Sequence, residues 1–286
     1  MDDFHLDNDQ GDEPKKIRGL AIAILLILAA AAAVYYFVFM KKPAVPAASL
    51  EPPAEIAAPA GGEKAAPGGT VEPLAFPSVP LGESDPAVRE FAAVLSTNPE
   101  FAKWLLTKDL VRKFVVAVDN VANGLSPKPH IDFFSPSGEF LVVRTKTGML
   151  VDEASYSRYD PAAGVVLSLD AVAAARLYRA IKPLLQEAYR DLGYPGVDFE
   201  DTLVRAMAEL LATPVVEGPV RLEQKILSFA MTDEGLEGLS QAQKQLLRMG
   251  PKSVRAVQGK LRELAAALGV VETRLPLAKI YTPRAE

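Results

Sequence analysis

An uninterrupted apolar run from Gly19 to Met40, GLAIAILLILAAAAAVYYFVFM, constrains this chain more than any other feature. The run contains no charged residue and no Pro, Asn or Gln. At 1.5 Å rise per residue, a helix of this length spans about 33 Å, which matches the roughly 30 Å hydrocarbon core of a bilayer. The run therefore predicts a transmembrane helix over residues 19–40.

A cleaved signal peptide is the alternative interpretation, because small residues follow the apolar run. Three features count against it. The run is longer than the roughly 7–15 residues of a signal-peptide core, and the segment before it is acidic. It also ends in aromatic side chains followed by Lys41 and Lys42, a pattern typical of an anchor at the membrane interface. We therefore expect an uncleaved anchor.

Basic residues flank both ends of the apolar run and predict its orientation. Three of them precede the run, whereas only Lys41 and Lys42 follow it. Because cytoplasmic flanks carry the excess of Lys and Arg, the N-terminus is expected in the cytoplasm. Residues 1–18 are then a disordered cytoplasmic tail, and the chain beyond the helix lies in the periplasm, outside a bacterial inner membrane.

Residues 41–80 are rich in Ala, Pro and Gly and predict an extended linker, because such a segment cannot bury enough apolar surface to fold. Residues 81–286 are the predicted folded domain. Their 25 Lys and Arg nearly balance their 26 Asp and Glu, so the acidity behind the net charge of −5 lies in the tail and linker. The chain has no Cys, which excludes disulfides, thiolate catalysis and Cys zinc sites.

Apolar spacing and capping residues predict a mainly α domain. Asp85 and Asn98 each precede a Pro, so a short helix is expected to begin at each of them. Thr107 is expected to cap a longer helix, whose apolar residues recur with helical spacing until Gly124 ends it. One small β-hairpin is predicted around Thr147 and Gly148, within EFLVVRTKTGMLVD.

The second half of the chain continues the helical pattern. Further helices are expected to begin at Asp170, Asp198, Ser240 and Gly250. The first of them contains Pro183 and should kink there. Residues 220–230 alternate weakly and fit a strand, whereas the tail after Gly269 looks irregular.

Five blocks of sequence resemble an uncharacterised bacterial membrane-anchored family. They are VDN (118–120), SRYDP (157–161), PLLQEAYRDLGYP (183–195), LLATP (210–214) and QKQLLRMGP (243–251). The family is catalogued as a domain of unknown function, number three thousand and fourteen, and the resemblance covers nearly all of residues 81–268. It implies an envelope protein and lends no catalytic residues. The family often has an acidic residue and Asn where this chain has Lys252 and Ser253.

Candidate catalytic residues are few. His130 is the single His of the domain, in a loop without a nucleophile motif, and an ordinary loop role fits it better. Carboxylates could share acid and base work if two of them lay together. The candidates are Asp119, Asp132, Asp160 and Glu187, and Asp160 is more simply a helix cap. We assign no catalytic residue, and we expect no metal and no cofactor.

Two groups of residues are predicted to bind a ligand. Tyrosines at 156, 159, 178, 189 and 194 alternate with Arg158, Arg179 and Arg190, and both residue types are enriched at interfaces. Arg158 and Tyr159 represent this group. The alternative is that the rings pack in the core.

The second group surrounds the junction at Gly250-Pro251. Arg248 ends one helix, while Lys252 and Ser253 lie in the first turn of the next, where free N–H groups favour an anion. These residues belong to a cluster of six cations: Lys244, Arg248, Lys252, Arg255, Lys260 and Arg262. The alternative is a solvated basic face that pairs with acidic parts of the domain.

These features predict a single-pass inner-membrane protein with a periplasmic binding or scaffold domain. Its expected partner is an envelope protein or an anionic envelope ligand, and nucleic acid is not expected as a partner of a domain outside the membrane. The alternative is an envelope-modifying hydrolase that uses paired carboxylates. An exposed patch of Tyr and Arg without such a pair would favour binding.

Overall fold

The computed structural model describes residues 74–128, 136, 138–226 and 228–283. All of them belong to one unit, Gly68–Glu286. The predicted tail, the predicted transmembrane helix, most of the predicted linker, His130 and Asp132 lie outside the described residues. Within the described part of the chain, no single helix is long and apolar enough to cross a membrane, although one pair bent by 77°, Asp160–Ser168 with Ala171–Asp191, passes that test together.

Helices dominate the described residues, which confirms the predicted mainly α domain. Helices α1 to α10 are, in chain order, Asp85–Ala92, Pro99–Trp104, Leu110–Ala122, Ala154–Ser157, Asp160–Ser168, Ala171–Asp191, Phe199–Leu211, Glu234–Glu237, Gln241–Leu247 and Gly250–Leu268. Short 3-10 turns occur at Leu81–Glu83, Ala93–Leu95 and Glu272–Arg274.

The largest hydrophobic cluster, here called the helical core, lies among α3, α6 and α7, with α1 and the C-terminal half of α10 packed against them. Val115, Tyr189 and Leu211 are completely buried there, and Leu185 and Phe199 are 1% exposed. They belong to apolar stripes with i, i+3, i+4 spacing, so each helix turns one face inward. Complete burial of one such side chain contributes roughly 1.5–3 kcal/mol.

The helical core begins upstream of residue 81. Leu74, Phe76 and Val79 pack against it, and the rings of Phe76 and Phe91 lie 5.2 Å apart. The last residues of the segment predicted to be a linker are thus part of the folded unit. Three apolar side chains within six residues distinguish this stretch from the Ala, Pro and Gly before it.

The predicted hairpin is confirmed as β1, Val142–Thr145, paired with β2, Gly148–Val151. The hairpin is part of a larger sheet, so the prediction of one small hairpin was too limited. Strands β4, Arg221–Gln224, and β5, Phe229–Met231, continue it into a four-stranded antiparallel sheet in the order β1-β2-β4-β5. Only Leu222 of β4 is buried, so the alternation in the sequence is weak.

The described tail after Gly269 is mostly irregular, as predicted, but it contains a 3-10 turn and one short strand that the sequence did not indicate. Its strand β6, Ile280–Tyr281, pairs in parallel with β3, Val215–Val216. A two-residue strand has no periodicity to detect, because the pairing depends on a partner about 65 residues away.

Capping residues were predicted correctly at Asn98, Asp170, Asp198 and Ser240. Thr107 was predicted wrongly. Helix α3 begins at Leu110, and the carboxylate of Asp85 accepts hydrogen bonds from the backbone N–H of Asp109 (2.7 Å) and of Leu110 (2.8 Å). A side chain 24 residues upstream therefore caps α3, and Asp109 adopts a left-handed conformation (φ 57°).

Candidate functional site

Arg158 and Tyr159 lie between α4 and α5 and serve the packing of the chain. Tyr159 is 5% exposed. The guanidinium of Arg158 donates to the carbonyl oxygens of Ser155 (3.0 Å) and Gly138 (3.2 Å), and it lies 5.5 Å from the ring centre of Phe140. Arg158 thus holds the chain before β1 against α4. For both residues, a role in packing fits better than a role in ligand binding.

The junction between α9 and α10 has the predicted tight geometry. Arg248 is exposed and donates to the side chain of Gln245 (3.2 Å), and Lys252 is exposed with no ion pair to a described residue. Gly250 has φ 77°, and a Cβ on it would lie 2.6 Å from Cγ of Tyr156. Tyr156 therefore brings α4 against this junction, although the guanidinium of Arg158 is engaged elsewhere. Ser253 is half-buried in the first turn of α10.

Most cations of the predicted basic cluster are paired. Lys244 binds Glu237 (2.9 Å) and Lys260 binds Glu263 (2.5 Å), while Arg255 pairs with Glu217 and Arg262 with Glu272. The hydrogen bond from Lys244 lowers the pKa of Glu237, and the charge of Arg248 adds to this effect. These pairs favour the interpretation of a solvated basic face.

The carboxylates that the sequence indicated are not seen to form a pair. Asp119 lies on α3, where burial raises the pKa of its carboxyl, and one of its oxygens accepts no hydrogen bond from a described residue. The groups that lower this pKa are not acidic: they are Asn123, Arg205, Tyr194 and Tyr189.

Asp160 is the first residue of α5 and makes no capping hydrogen bond, with Tyr159 at the cap position. Across the described residues, no three His, Asp or Glu side chains converge on a metal site.

A shallow groove lies along the exposed side of α6. It has an inner pocket of about 240 Å³ and a more open outer trough of about 680 Å³, and both are lined by Arg179 and Lys182. The inner pocket is further lined by Tyr178, Glu200, Leu203, Val204, Leu268 and Val270. The outer trough includes Pro183, Gln186, Arg190, Pro195, Val197 and Asp198. We call the two together the α6 groove.

Lys182 separates the two parts of the α6 groove. Its ammonium lies 2.5 Å from the carboxylate of Glu200 and 3.7 Å from that of Asp198. The hydrogen bond that Lys182 donates to Glu200 raises the pKa of Lys182, so the lysine stays charged and both carboxylates share one cation. Asp198 also accepts from the backbone N–H of Glu200 (2.9 Å), which caps α7.

The walls of the α6 groove are fixed by hydrogen bonds. Gln186 donates to the carbonyl of Val197 (2.8 Å) and accepts from the N–H of Phe199 (3.0 Å), so the loop before α7 is held against α6. Arg179 donates to the carbonyl of Ala267 (2.6 Å) and thereby satisfies one of the last carbonyls of α10. Both contacts tie the groove to regular helices.

Three polar groups in the α6 groove have unused hydrogen-bonding capacity. The hydroxyl of Tyr178 is buried and bonds to no described residue. Burial raises its pKa, with smaller contributions from Glu200 and Asp198, so it remains a neutral donor. Pro183 lies inside α6 and has no N–H, which leaves the carbonyl of Arg179 without its usual donor. Arg190 is exposed and forms no ion pair with a described residue.

The sequence indicated several residues of this groove but not their arrangement in space. Tyr178, Arg179 and Arg190 belong to the predicted tyrosine and arginine group, but the predicted ligand-binding pair of that group, Arg158 and Tyr159, lies outside the groove. Residues at 179, 183, 186 and 190 follow helical spacing on an exposed face, which by itself looks like a solvated surface. Only the loop at 195–198 and the end of α10 make that face concave, and both are tertiary contacts.

The chain matches no curated protein and no solved structure. The family described as protein of unknown function (DUF3014) matches residues 110–265. This range includes every groove residue on α6 and α7, whereas Leu268 and Val270 lie beyond it. The match confirms the resemblance carried by the sequence blocks, and the chain belongs to the DUF3014 family of proteins of unknown function.

Proposed function

We propose that the chain is a single-pass protein of the bacterial inner membrane whose periplasmic domain binds an envelope partner through the α6 groove. The apolar run at residues 19–40 and its basic flanks support the anchor and its orientation. One observation carries the binding role: the groove combines apolar walls with the buried hydroxyl of Tyr178, which bonds to no described residue. Ligand sites typically join a concave apolar surface to a few such groups.

The alternative of an envelope hydrolase requires two carboxyls whose environments separate their pKa values. The two carboxylates in the α6 groove, Asp198 and Glu200, are both bound to Lys182. Asp119 has a raised pKa, but no acidic group contributes to it. The arrangement therefore favours binding over hydrolysis.

The position of the domain can be tested with single cysteines, because the chain has none of its own. Lys146→Cys places a thiol in the exposed turn between β1 and β2, and Asp7→Cys places one before the apolar run. In intact cells, a thiol reagent that cannot cross the inner membrane should label the first variant and spare the second. The reverse pattern would show a cytoplasmic domain.

The binding face can be tested by photo-crosslinking in living cells. A photoreactive residue at Arg190 should give a discrete crosslinked product. The same residue at Arg144 on β1, which is also exposed and forms no ion pair with a described residue, should give none. Equal products at the two positions, or none at Arg190, would contradict a binding role for the α6 groove.

A further inference from the structure

The turn between α2 and α3, residues 105–109, holds one apolar side chain out toward solvent. We call it the α2–α3 turn. Leu105 packs against the helical core, whereas the next residue, Leu106, is 72% exposed. Arg89 fixes the backbone on both sides of Leu106, because its guanidinium donates to the carbonyl oxygens of Leu105 (2.7 Å) and Thr107 (3.3 Å). The exposure of Leu106 is therefore built into the turn.

The residues beside Leu106 are of the types that occupy a membrane interface. Trp104 ends α2 and is half-buried. Lys108 is exposed and pairs with no acidic residue of the described chain, and Lys103 forms an exposed pair with Glu100 (2.6 Å). Tryptophan is enriched where one side of its ring meets hydrocarbon and the other meets water, and a lysine stem reaches from that depth to the headgroups. An exposed Leu between these side chains fits the surface of a bilayer.

The charges around the α2–α3 turn balance, so apolar contact has to carry any docking there. Three cations face three carboxylates: Arg89, Lys103 and Lys108 against Asp85, Glu100 and Asp109. A strongly charged protein surface or a small anionic ligand therefore gains little at this turn. A bilayer needs no net charge, because its gain comes from apolar groups that leave water.

The chain enters the folded unit beside the α2–α3 turn. Phe76, one of the first described residues, lies against Phe91 of α1 with ring centres 5.2 Å apart, and Arg89 of the same helix holds the turn. Residues 41–73 join the apolar run to this entry point and can extend at most about 115 Å. A tethered domain meets the bilayer at a high effective concentration, so an affinity too weak for a free protein suffices.

Resting on the proposed membrane anchor, we infer that the α2–α3 turn docks on the surface of the bilayer, with Leu106 and the ring of Trp104 at the boundary between headgroups and hydrocarbon. The contact holds the domain against the membrane that anchors it. None of the residues that line the α6 groove belongs to this turn, so the docking is separate from the binding role proposed for the groove.

The single Trp of the chain makes this contact measurable, because all Trp fluorescence comes from Trp104. The full chain is reconstituted in vesicles of phosphatidylcholine and phosphatidylglycerol, with or without bromine on the upper part of the acyl chains. Bromine quenches a Trp only on close contact, so brominated lipid should quench Trp104. Quenching should persist at high salt and in vesicles of phosphatidylcholine alone, since the charges of the turn balance.

Leu106→Ser tests the turn itself. It should lower the ratio of docked to undocked domain about tenfold, as expected when a buried Leu side chain is lost, and quenching should fall accordingly. The matched control is Leu277→Ser, which changes a leucine that is 80% exposed in the C-terminal tail and should leave quenching unchanged. Equal quenching in the parent chain and in Leu106→Ser, or equal losses in the two variants, would overturn the inference.

The outcomes also separate this inference from the proposed function. If the chain resists alkaline extraction from the vesicles but brominated lipid does not quench Trp104, the anchor stands and the docking inference is overturned. If the chain is extracted, the proposed anchor fails and the inference that rests on it fails too. A photoreactive residue at Leu106 that gives a discrete protein product in cells would overturn the bilayer in favour of a protein partner.

Discussion

The helical core and the sheet region differ in how deeply they bury their side chains. The sheet region is the cluster of Val216, Val220, Leu222, Leu236 and Leu247 with the strands around it. Only Leu236 is buried below 2% there, whereas several side chains of the helical core reach 0–1%. The sheet is completed by half-buried rings such as Phe140 and Phe229, whose centres lie 5.6 Å apart.

This difference in burial indicates that the two regions are stabilised in different ways. The helical core has the deep apolar packing that sustains stability, and it also carries α6 and therefore the groove. The sheet region relies more on polar ties, such as the bond from Lys244 to Glu237 and the bond from the backbone N–H of Met231 to Glu237 (2.9 Å). Because the groove lies on the more deeply packed of the two regions, its supporting helix has little freedom to shift.

Leucine truncation in the two regions gives the largest expected effects. Leu185→Ala in the helical core and Leu236→Ala in the sheet region both remove a side chain that is 1% exposed. Such changes typically lower the free energy of unfolding by roughly 2–5 kcal/mol. We expect Leu185→Ala to fall near the upper end of this range and Leu236→Ala near the lower end. Urea unfolding measures both. A larger loss for Leu236→Ala would reverse the comparison.

The two ends of α10 provide a matched pair of glycines. Gly250 (φ 77°) and Gly269 (φ 86°) both adopt left-handed conformations, so Ala should cost about 1–2 kcal/mol at either position. A Cβ at Gly269 meets nothing within 4 Å, whereas one at Gly250 meets the ring of Tyr156. Gly250→Ala should therefore cost about 1–3 kcal/mol more, in the range of overpacking.

Thermal unfolding of the two glycine variants separates backbone strain from the contact. Adding Tyr156→Ala removes the ring but leaves its Cβ, which would lie 2.9 Å from the new side chain, so it should reduce the extra loss at Gly250 in part and leave the loss at Gly269 unchanged. Equal losses of stability for Gly250→Ala and Gly269→Ala would show that α4 moves away from the junction at no energetic cost.

The segment after Gly269 is attached to both regions, and its two polar contacts should differ in strength. Tyr281 donates to the carboxylate of Asp233 beside the sheet (2.7 Å), and Arg274 pairs with Asp201 on α7 (2.9 Å). Tyr281→Phe removes a part-buried hydrogen bond to a charged group and should cost about 1.5–3 kcal/mol. Arg274→Ala breaks an exposed ion pair and should cost at most about 1 kcal/mol. Chemical denaturation would contradict the comparison if the order were reversed.

The pH dependence of stability should have opposite signs in the two regions and gives the smallest effect. Burial raises the pKa of Asp119 above its ordinary 3.8, so its stabilising contribution is present at lower pH and is lost as the pH rises through the folded-state pKa. Lys244 lowers the pKa of Glu237 below its ordinary 4.5, so its contribution is present above that value and is lost on acidification.

The amide variants isolate these two contributions. Relative to Asp119→Asn, the parent chain should lose stability as the pH rises above 3.8. Relative to Glu237→Gln, it should lose stability as the pH falls below 4.5. Urea midpoints measured across this acidic range give both differences, and slopes of the same sign would contradict the comparison.

The helical core was predictable from sequence because its signals are local. The caps at Asp170 and Asp198 act within their own first turns, and the stripe from Leu203 to Leu211 repeats within one helix. The start of α3 was not predictable, because its cap comes from Asp85 in another helix. The sheet was predictable in part: the sequence indicated the hairpin and a strand within residues 220–230, but not that two short strands there, β4 and β5, extend the hairpin into one sheet.

The candidate site was likewise predictable only where its signals are local in the sequence. The Tyr and Arg residues of α6 are visible in the sequence, but Leu268 and the loop at Val197 close around Tyr178, Arg179 and Arg190 only in the folded chain. The buried Gln258 is a further example: its side-chain amide donates to the carbonyls of Leu211 (3.2 Å) and Thr213 (2.8 Å) at the end of α7. A polar residue inside an apolar helical stripe is a signal, but the sequence does not say which carbonyls it satisfies.

The pairing of β3 with β6 has a consequence for the order of folding. Val215 and Ile280 meet in parallel across about 65 residues, and the intervening chain must first be ordered into α9 and α10. Contacts with such sequence separation form late, because loop closure must precede the gain from pairing. During synthesis, the part of the helical core formed by α1, α3, α6 and α7 can therefore pack while Val215 and Val216 still present an unpaired edge. That edge is the point at which a nascent chain of this protein is most exposed to mispairing with another strand.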